Sequence, residues 1–82
     1  MVGMSIEKAI VEFKAANGEF KQDGKYAIIY AGTNGSENEL YVDCSECESM
    51  TAEEYLKLVW DDIKADDDEG DIGYVLCIKT VA

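Results

Sequence analysis

The stretch Met50-Thr51-Ala52-Glu53-Glu54-Tyr55-Leu56-Lys57-Leu58-Val59-Trp60-Asp61-Asp62-Ile63-Lys64-Ala65 decides the fold. Thr51 and Glu54 have capping-box spacing. The threonine hydroxyl accepts from the third helical N–H and the glutamate reaches back to the N–H of Thr51, so two orphaned donors find partners. Met50 before the cap and Tyr55 inside the helix are spaced as a hydrophobic staple. At about 100° per residue, Ala52, Leu56, Val59, Trp60 and Ile63 share one arc roughly 100° wide, which defines a buried stripe. Glu53, Glu54, Lys57, Asp61, Lys64 and Ala65 lie mostly opposite, and Leu58 falls among them, where a core cannot use it. Asp66-Asp67-Asp68-Glu69 follow at the helix C-terminus, where negative charge is unfavourable, and Gly70 completes the break.

Upstream, Ser5 is the N-cap of a first helix over Ile6–Asn17, with Ile6, Ala9, Ile10, Phe13 and Ala16 at helical spacing and Asn17-Gly18 as its stop. Lys25–Ala31 is rich in β-formers and predicts a strand. Gly32-Thr33-Asn34-Gly35-Ser36 predicts a turn, and Glu39–Asp43 a second strand, making an antiparallel hairpin. Downstream, Ile72–Val81 is apolar on both faces as far as Ile78 and predicts the best-buried strand.

The order is therefore α-β-β-α-β, an α+β class. The second helix is a crossover, so the strands flanking it run parallel, with the first strand between them and antiparallel to both. The expected architecture is a three-stranded antiparallel sheet with two helices packed on one face, in a single domain over residues 1–82. Ala27, Ile29 and Ala31 share a strand face whose small alanines suit close helix approach, so that face is assigned to the core. Tyr26, Ile28 and Tyr30 then point away from it, with Tyr41 and Tyr74 as neighbours.

Charge is unevenly placed. Glu7, Glu12, Glu19 and Asp23 balance Lys8, Lys14, Lys21 and Lys25, whereas residues 37–82 set 14 acids against Lys57, Lys64 and Lys79. The whole net charge of −11 arises in that second part. Such a surface repels phosphate, so direct binding to nucleic acid or anionic lipid is disfavoured and a basic protein partner favoured. The chain has no proline, histidine or arginine. It lacks the side chain best suited to proton transfer near neutral pH and the fork that grips phosphates, so no enzyme activity, catalytic residue or cofactor is expected. Apolar runs fall far short of the roughly 20 residues of a membrane span, no signal-like segment opens the chain, and three cysteines fit a reducing compartment. A cytoplasmic protein with no membrane association is expected.

Each cluster of reactive residues has a competing plain reading. Cys44-Ser45-Glu46-Cys47 lies between a strand and a helix, as a redox motif would. Asp43, Glu46 and Glu48, however, raise thiol pKa values, and only Cys77 and a carboxylate remain to complete a zinc site, so no metal is expected. Placing Gly70 at the invariant glycine of a calcium loop puts Ala65 and Leu76 at the anchoring ligand positions, where carboxylates are required. The remaining acids read as a surface.

That surface, with Glu54, Leu58, Asp61, Asp62, Asp66, Asp67, Asp68, Glu69, Asp71, Tyr26, Tyr30 and Tyr41 as the candidate partner-binding residues, is the expected site. Tyrosine-rich faces suit interfaces. Carboxylates three or four apart on a helix lie about 5–6 Å from one another, near the phosphate repeat of a nucleic-acid strand. In size and charge the chain is similar to small acidic phage inhibitors of restriction, CRISPR or repair nucleases, a likeness of composition without a shared motif. The resulting expectation is an inhibitor or decoy occupying a basic groove. The alternatives are an acidic surface adapted for solubility or assembly, and a cysteine-based zinc or redox protein. An unpaired sheet edge leaves a homodimer open.

Overall fold

The computed structural model describes residues 3–47 and 49–81. The elements run α1 (Ile6–Asn17), β1 (Lys25–Gly32), β2 (Glu37–Asp43), a short 3-10 turn (Cys44–Glu46), α2 (Ala52–Ala65) and β3 (Ile72–Thr80). The sheet order is β2-β1-β3, with β1 antiparallel to both neighbours. This is the expected α+β arrangement.

The local signals act as their chemistry requires. Ser5 accepts from the Lys8 N–H at the start of α1. At the end of that helix Gly18 adopts φ 88°, a conformation that favours glycine, and returns its N–H to the Lys14 carbonyl. Thr51 and Glu54 form both halves of the capping box. The side chain of Gln22 supports the same helix start from outside it, accepting from the Ala52 N–H at 3.2 Å and donating to the Met50 carbonyl at 2.8 Å.

One core joins the helices to the sheet. Ile6, Ala9, Ile10 and Phe13 of α1 and Ala52, Leu56 and Trp60 of α2 pack with Tyr26, Ile28, Val42, Val75 and Ile78 of the strands. Both helices therefore cover the same sheet face. Phe13 stacks on Phe20 at 4.5 Å between ring centroids, Tyr26 meets both rings edge-on, and Tyr30 meets Trp60 edge-on at 5.4 Å.

Four expectations are corrected. The sheet faces are reversed, since Tyr26, Ile28 and Tyr30 face the helices. Ala27, Ile29 and Ala31 lie on the opposite, helix-free face, flanked by Glu37, Glu39 and Tyr41 of β2 and by Tyr74, Cys77 and Lys79 of β3. The large side chains fill the space under two helices, where alanines would leave voids. The best-buried strand is the central β1; β3 is an edge strand, with Tyr74 exposed and Leu76 and Cys77 half-buried. Ala16 is exposed rather than part of the α1 stripe. The hairpin strands extend to Gly32 and from Glu37 because the turn is compact, closed by Gly32 N–H to Ser36 O at 2.8 Å.

The two sheet edges differ. The register of β3 against β1 slips between Ile29 and Tyr30 and again between Ala31 and Gly32, so Leu76 and Gly73 are extra residues in β3. A Cβ on Gly73 would lie 2.6 Å from the Ala31 carbonyl oxygen, so glycine alone permits that approach. On its outer side, β3 is bridged by Met4, through Met4 N–H to Val75 O at 2.9 Å and Val75 N–H to Met4 O at 3.2 Å. β2 pairs with β1 without a slip, and its outer side has no partner among the described residues.

Candidate interaction surface

The outer face of α2 and the loop after it hold most of the expected site. Leu56 is 0% exposed and Leu58 42% exposed, so the helical phase read from the spacing is correct. Glu54, Asp61 and Asp62 lie three or four positions from Leu58, ringing it with carboxylates. Glu54 is also committed to the helix cap, its Oε1 accepting from the Thr51 N–H at 3.2 Å and the Thr51 hydroxyl at 2.9 Å.

Beyond Ala65 the acidic run is organised rather than loose. The Asp67 carboxylate accepts from the N–H of Asp71 at 3.0 Å and of Ile72 at 2.7 Å, which turns the chain into β3. Lys64 donates to the carbonyls of Ile72 and Gly73 at 3.2 and 3.1 Å. Thr33, in the β1–β2 turn, donates its N–H to the Asp71 carbonyl and its hydroxyl to that of Gly70. The loop is thereby tied to the end of α2, the start of β3 and the hairpin turn. Asp66, Asp68, Glu69 and Asp71 stay exposed.

These links create a polarity that composition does not display. The C-terminal end of α2, the loop and the starts of β2 and β3 share one end of the molecule. They place Asp61, Asp62, Asp66, Asp67, Asp68, Glu69, Asp71 and Glu37 there, with Lys64 as the accompanying lysine. Lys64 is engaged with backbone carbonyls. The ion pairs among the described residues all lie elsewhere: Lys57–Glu7 at 3.2 Å, Lys14–Glu53 at 2.9 Å, Lys14–Glu19 at 3.4 Å and Lys8–Glu12 at 4.0 Å. The first three knit α1 to α2 and to the loop after α1, and the last lies within α1. The Glu53 hydrogen bond holds the Lys14 ammonium above its usual pKa. Glu7 titrates below the usual range because of a backbone hydrogen bond and then Lys57.

Two expected members leave the surface. Tyr26 is 3% exposed and its hydroxyl accepts from the Lys21 N–H at 2.7 Å, so it serves the core. Tyr30 is half-buried against Trp60. Tyr41 remains, 65% exposed, donating to Glu39 Oε2 at 2.8 Å. Sequence reasoning missed Glu37, whose signal is its position directly after the turn that Thr33 fastens to the acidic loop.

The cysteines do not converge. Cys44 is buried, its thiol pushed up in pKa by burial first and then by Asp43 and Cys47, and its Sγ lies 3.9 Å from the Ala52 carbonyl oxygen. Cys77 lies on the helix-free sheet face, opposite Ile29. All three are free, and among the described residues no group of three Cys, Asp or Glu side chains is placed to hold a metal ion. Among the described residues no helix is long and apolar enough to cross a membrane.

Asp67 gives a pH signature. Hydrogen bonds from Ile72 first, and from Asp71 and Gly70, hold its carboxyl below the usual 3.8. A carboxyl depressed on folding stabilises the fold above its unfolded pKa, and that contribution disappears as pH falls through the folded value. Asp67→Asn should therefore lower Tm at pH 7 and flatten the loss of Tm between pH 4 and pH 2, measured by thermal melts in matched buffers. Parallel Tm–pH curves for the two proteins would show that the loop does not depend on this carboxylate.

Compared with protein-family models, with curated proteins and with solved structures, the chain matches none.

Proposed function

We propose that this chain is a protein-binding module whose acidic pole occupies a basic groove on a partner, in the place of nucleic acid. The observation that carries this reading is the segregation of charge. The lysines of the two helices are engaged in α1–α2 pairs, in a pair within α1 or with backbone carbonyls, while carboxylates from α2, the following loop and β2 gather at one end with Lys64 as the accompanying lysine. Acid spread for solubility alone has no reason to collect this way. Leu58 supplies an apolar anchor beside the charged group, and anchors of this kind dominate interface energetics when ringed by polar contacts. An inhibitor that competes with nucleic acid needs these two features and no catalytic centre.

The test is capture from the native host lysate, with the captured protein identified by mass and its association rate measured. The rate should fall steeply between about 50 and 300 mM salt, because screening shortens the reach of the field. Neutralising Asp66, Asp68 and Glu69 together should weaken capture far more than neutralising Glu7 and Glu12, and Asp67 is left intact because it holds the loop. Nucleic acid should compete for the captured protein. A rate indifferent to salt refutes the reading.

A further inference from the structure

We propose that the free edge of β2 accepts a basic, extended peptide segment of a partner as a fourth strand. The phase of the hairpin fixes what that edge presents. Gly32 donates to Ser36 O and Cys44 to Gly24 O, so the even-numbered residues of β2 bond inward to β1. The N–H and C=O groups of Glu37, Glu39 and Tyr41 then point outward with no backbone partner among the described residues, whereas Asp43 caps the following 3-10 turn and its carbonyl is engaged there. The same four side chains lie on the helix-free sheet face. Hydrogen bonding and charge are thus offered by one row of residues.

Open strand edges are usually blunted by charged side chains, proline, a bulge or a covering segment. β3 has two bulges and the Met4 bridge, whereas β2 carries only its carboxylates, which turn away like charge but not a basic strand. Charge selects the occupant. In a fully overlapped antiparallel pair with a second copy, Glu37 faces Asp43 at both ends. A two-residue slip brings Glu39 opposite either itself or Asp43, and like charges directly opposite are destabilising. A strand carrying lysine or arginine opposite Glu37, Glu39 and Asp43 meets opposite charge at each. Between them its apolar residues lie beside Leu40 and Val42. This is strand addition, with main-chain bonds giving affinity and alternate side chains giving specificity. It shares with the proposed function the sign of the partner's charge and one residue, Glu37, where the pole meets the edge, and its other contacts lie along β2.

The probe is the heptapeptide Lys-Val-Thr-Val-Lys-Val-Lys, titrated to millimolar concentration into isotopically labelled protein and followed by amide chemical shifts. Two controls accompany it: the same peptide with glutamate for lysine, and one N-methylated at Thr and the central Lys, which keeps its charge but loses the two central donations to β2. Shifts should centre on Glu37–Asp43, N-methylation should weaken binding by about tenfold or more, and the acidic peptide should not bind. The variant neutralised at Asp66, Asp68 and Glu69 should bind the basic peptide within about threefold of the parent, since its β2 edge is intact. Equal binding of the N-methylated peptide, loss of binding in the pole variant, or no shifts at all overturns edge addition. None of these touches the acidic-pole reading. A concentration-dependent dimer with shifts along β2 in the free protein also overturns it, in favour of a second copy.

Discussion

Leu56→Ala should cost about 2–5 kcal/mol of folding stability, while Leu58→Ala, two residues away on the same helix, should change it by no more than about 0.5 kcal/mol. Leu56 is fully enclosed between α1, α2 and the sheet, and truncating it loses transfer free energy and leaves a cavity that a close-packed interior closes only in part. Leu58 has 42% of its surface in water already, so its truncation removes little buried area. Chemical denaturation of both variants, with unchanged m-values, checks the pair. Equal damage would mean that α2 is rotated from the phase described here, and the surface built on that phase would fall with it.

The tyrosines should divide just as sharply. Tyr26→Ala is expected to cost about 3–5 kcal/mol, as for other buried aromatics, because the ring is wedged edge-on against Phe13 and Phe20. Against a total stability of about 4–12 kcal/mol for a chain of this size, that loss approaches complete unfolding. Tyr26→Phe keeps the ring and removes only the acceptor for the Lys21 N–H, a loss of about 0.5–1.5 kcal/mol. Tyr41→Ala should stay within about 0.5 kcal/mol. Thermal and chemical melts of the three variants measure this directly. A Tyr26→Ala protein as stable as its parent would restore the opposite assignment of the sheet faces.

That assignment marks the boundary of what was legible in the chain. The helices, their caps and the phase of α2 rest on contacts between residues three or four apart, and local spacing reveals them; the strand order follows from the crossover that α2 makes. The central strand is different. Its neighbours on both sides shield both of its faces, so Tyr26 through Ala31 are apolar without alternation and period two has nothing to report. Residue volume decides there, and it favours placing tyrosine and isoleucine, not alanine, under the helices. The bulges at Gly73 and Leu76 made β3 look like a continuous buried strand for a related reason, since an extra residue erases the alternation that would mark an edge. The acidic pole was legible as composition but not as geometry. Nothing in the order Asp66 to Asp71 announces that Asp67 is occupied by backbone donors, or that Thr33 draws Glu37 to the same end.

The Met4 bridge on β3 has a consequence for growth. A sheet open on both sides propagates, because each added strand exposes a new edge on either flank, and that is how fibres lengthen. Here one flank is interrupted by the Met4 bridge at Val75 and by two bulges, so among the described residues β2 is the one regular free edge, a valence of one. A chain of valence one can end a stack or accept a single strand, and two of them can pair with each other, but no arrangement of them repeats. If such a chain meets an exposed strand on another protein, it terminates that edge in a one-to-one complex, and further copies have nowhere to add.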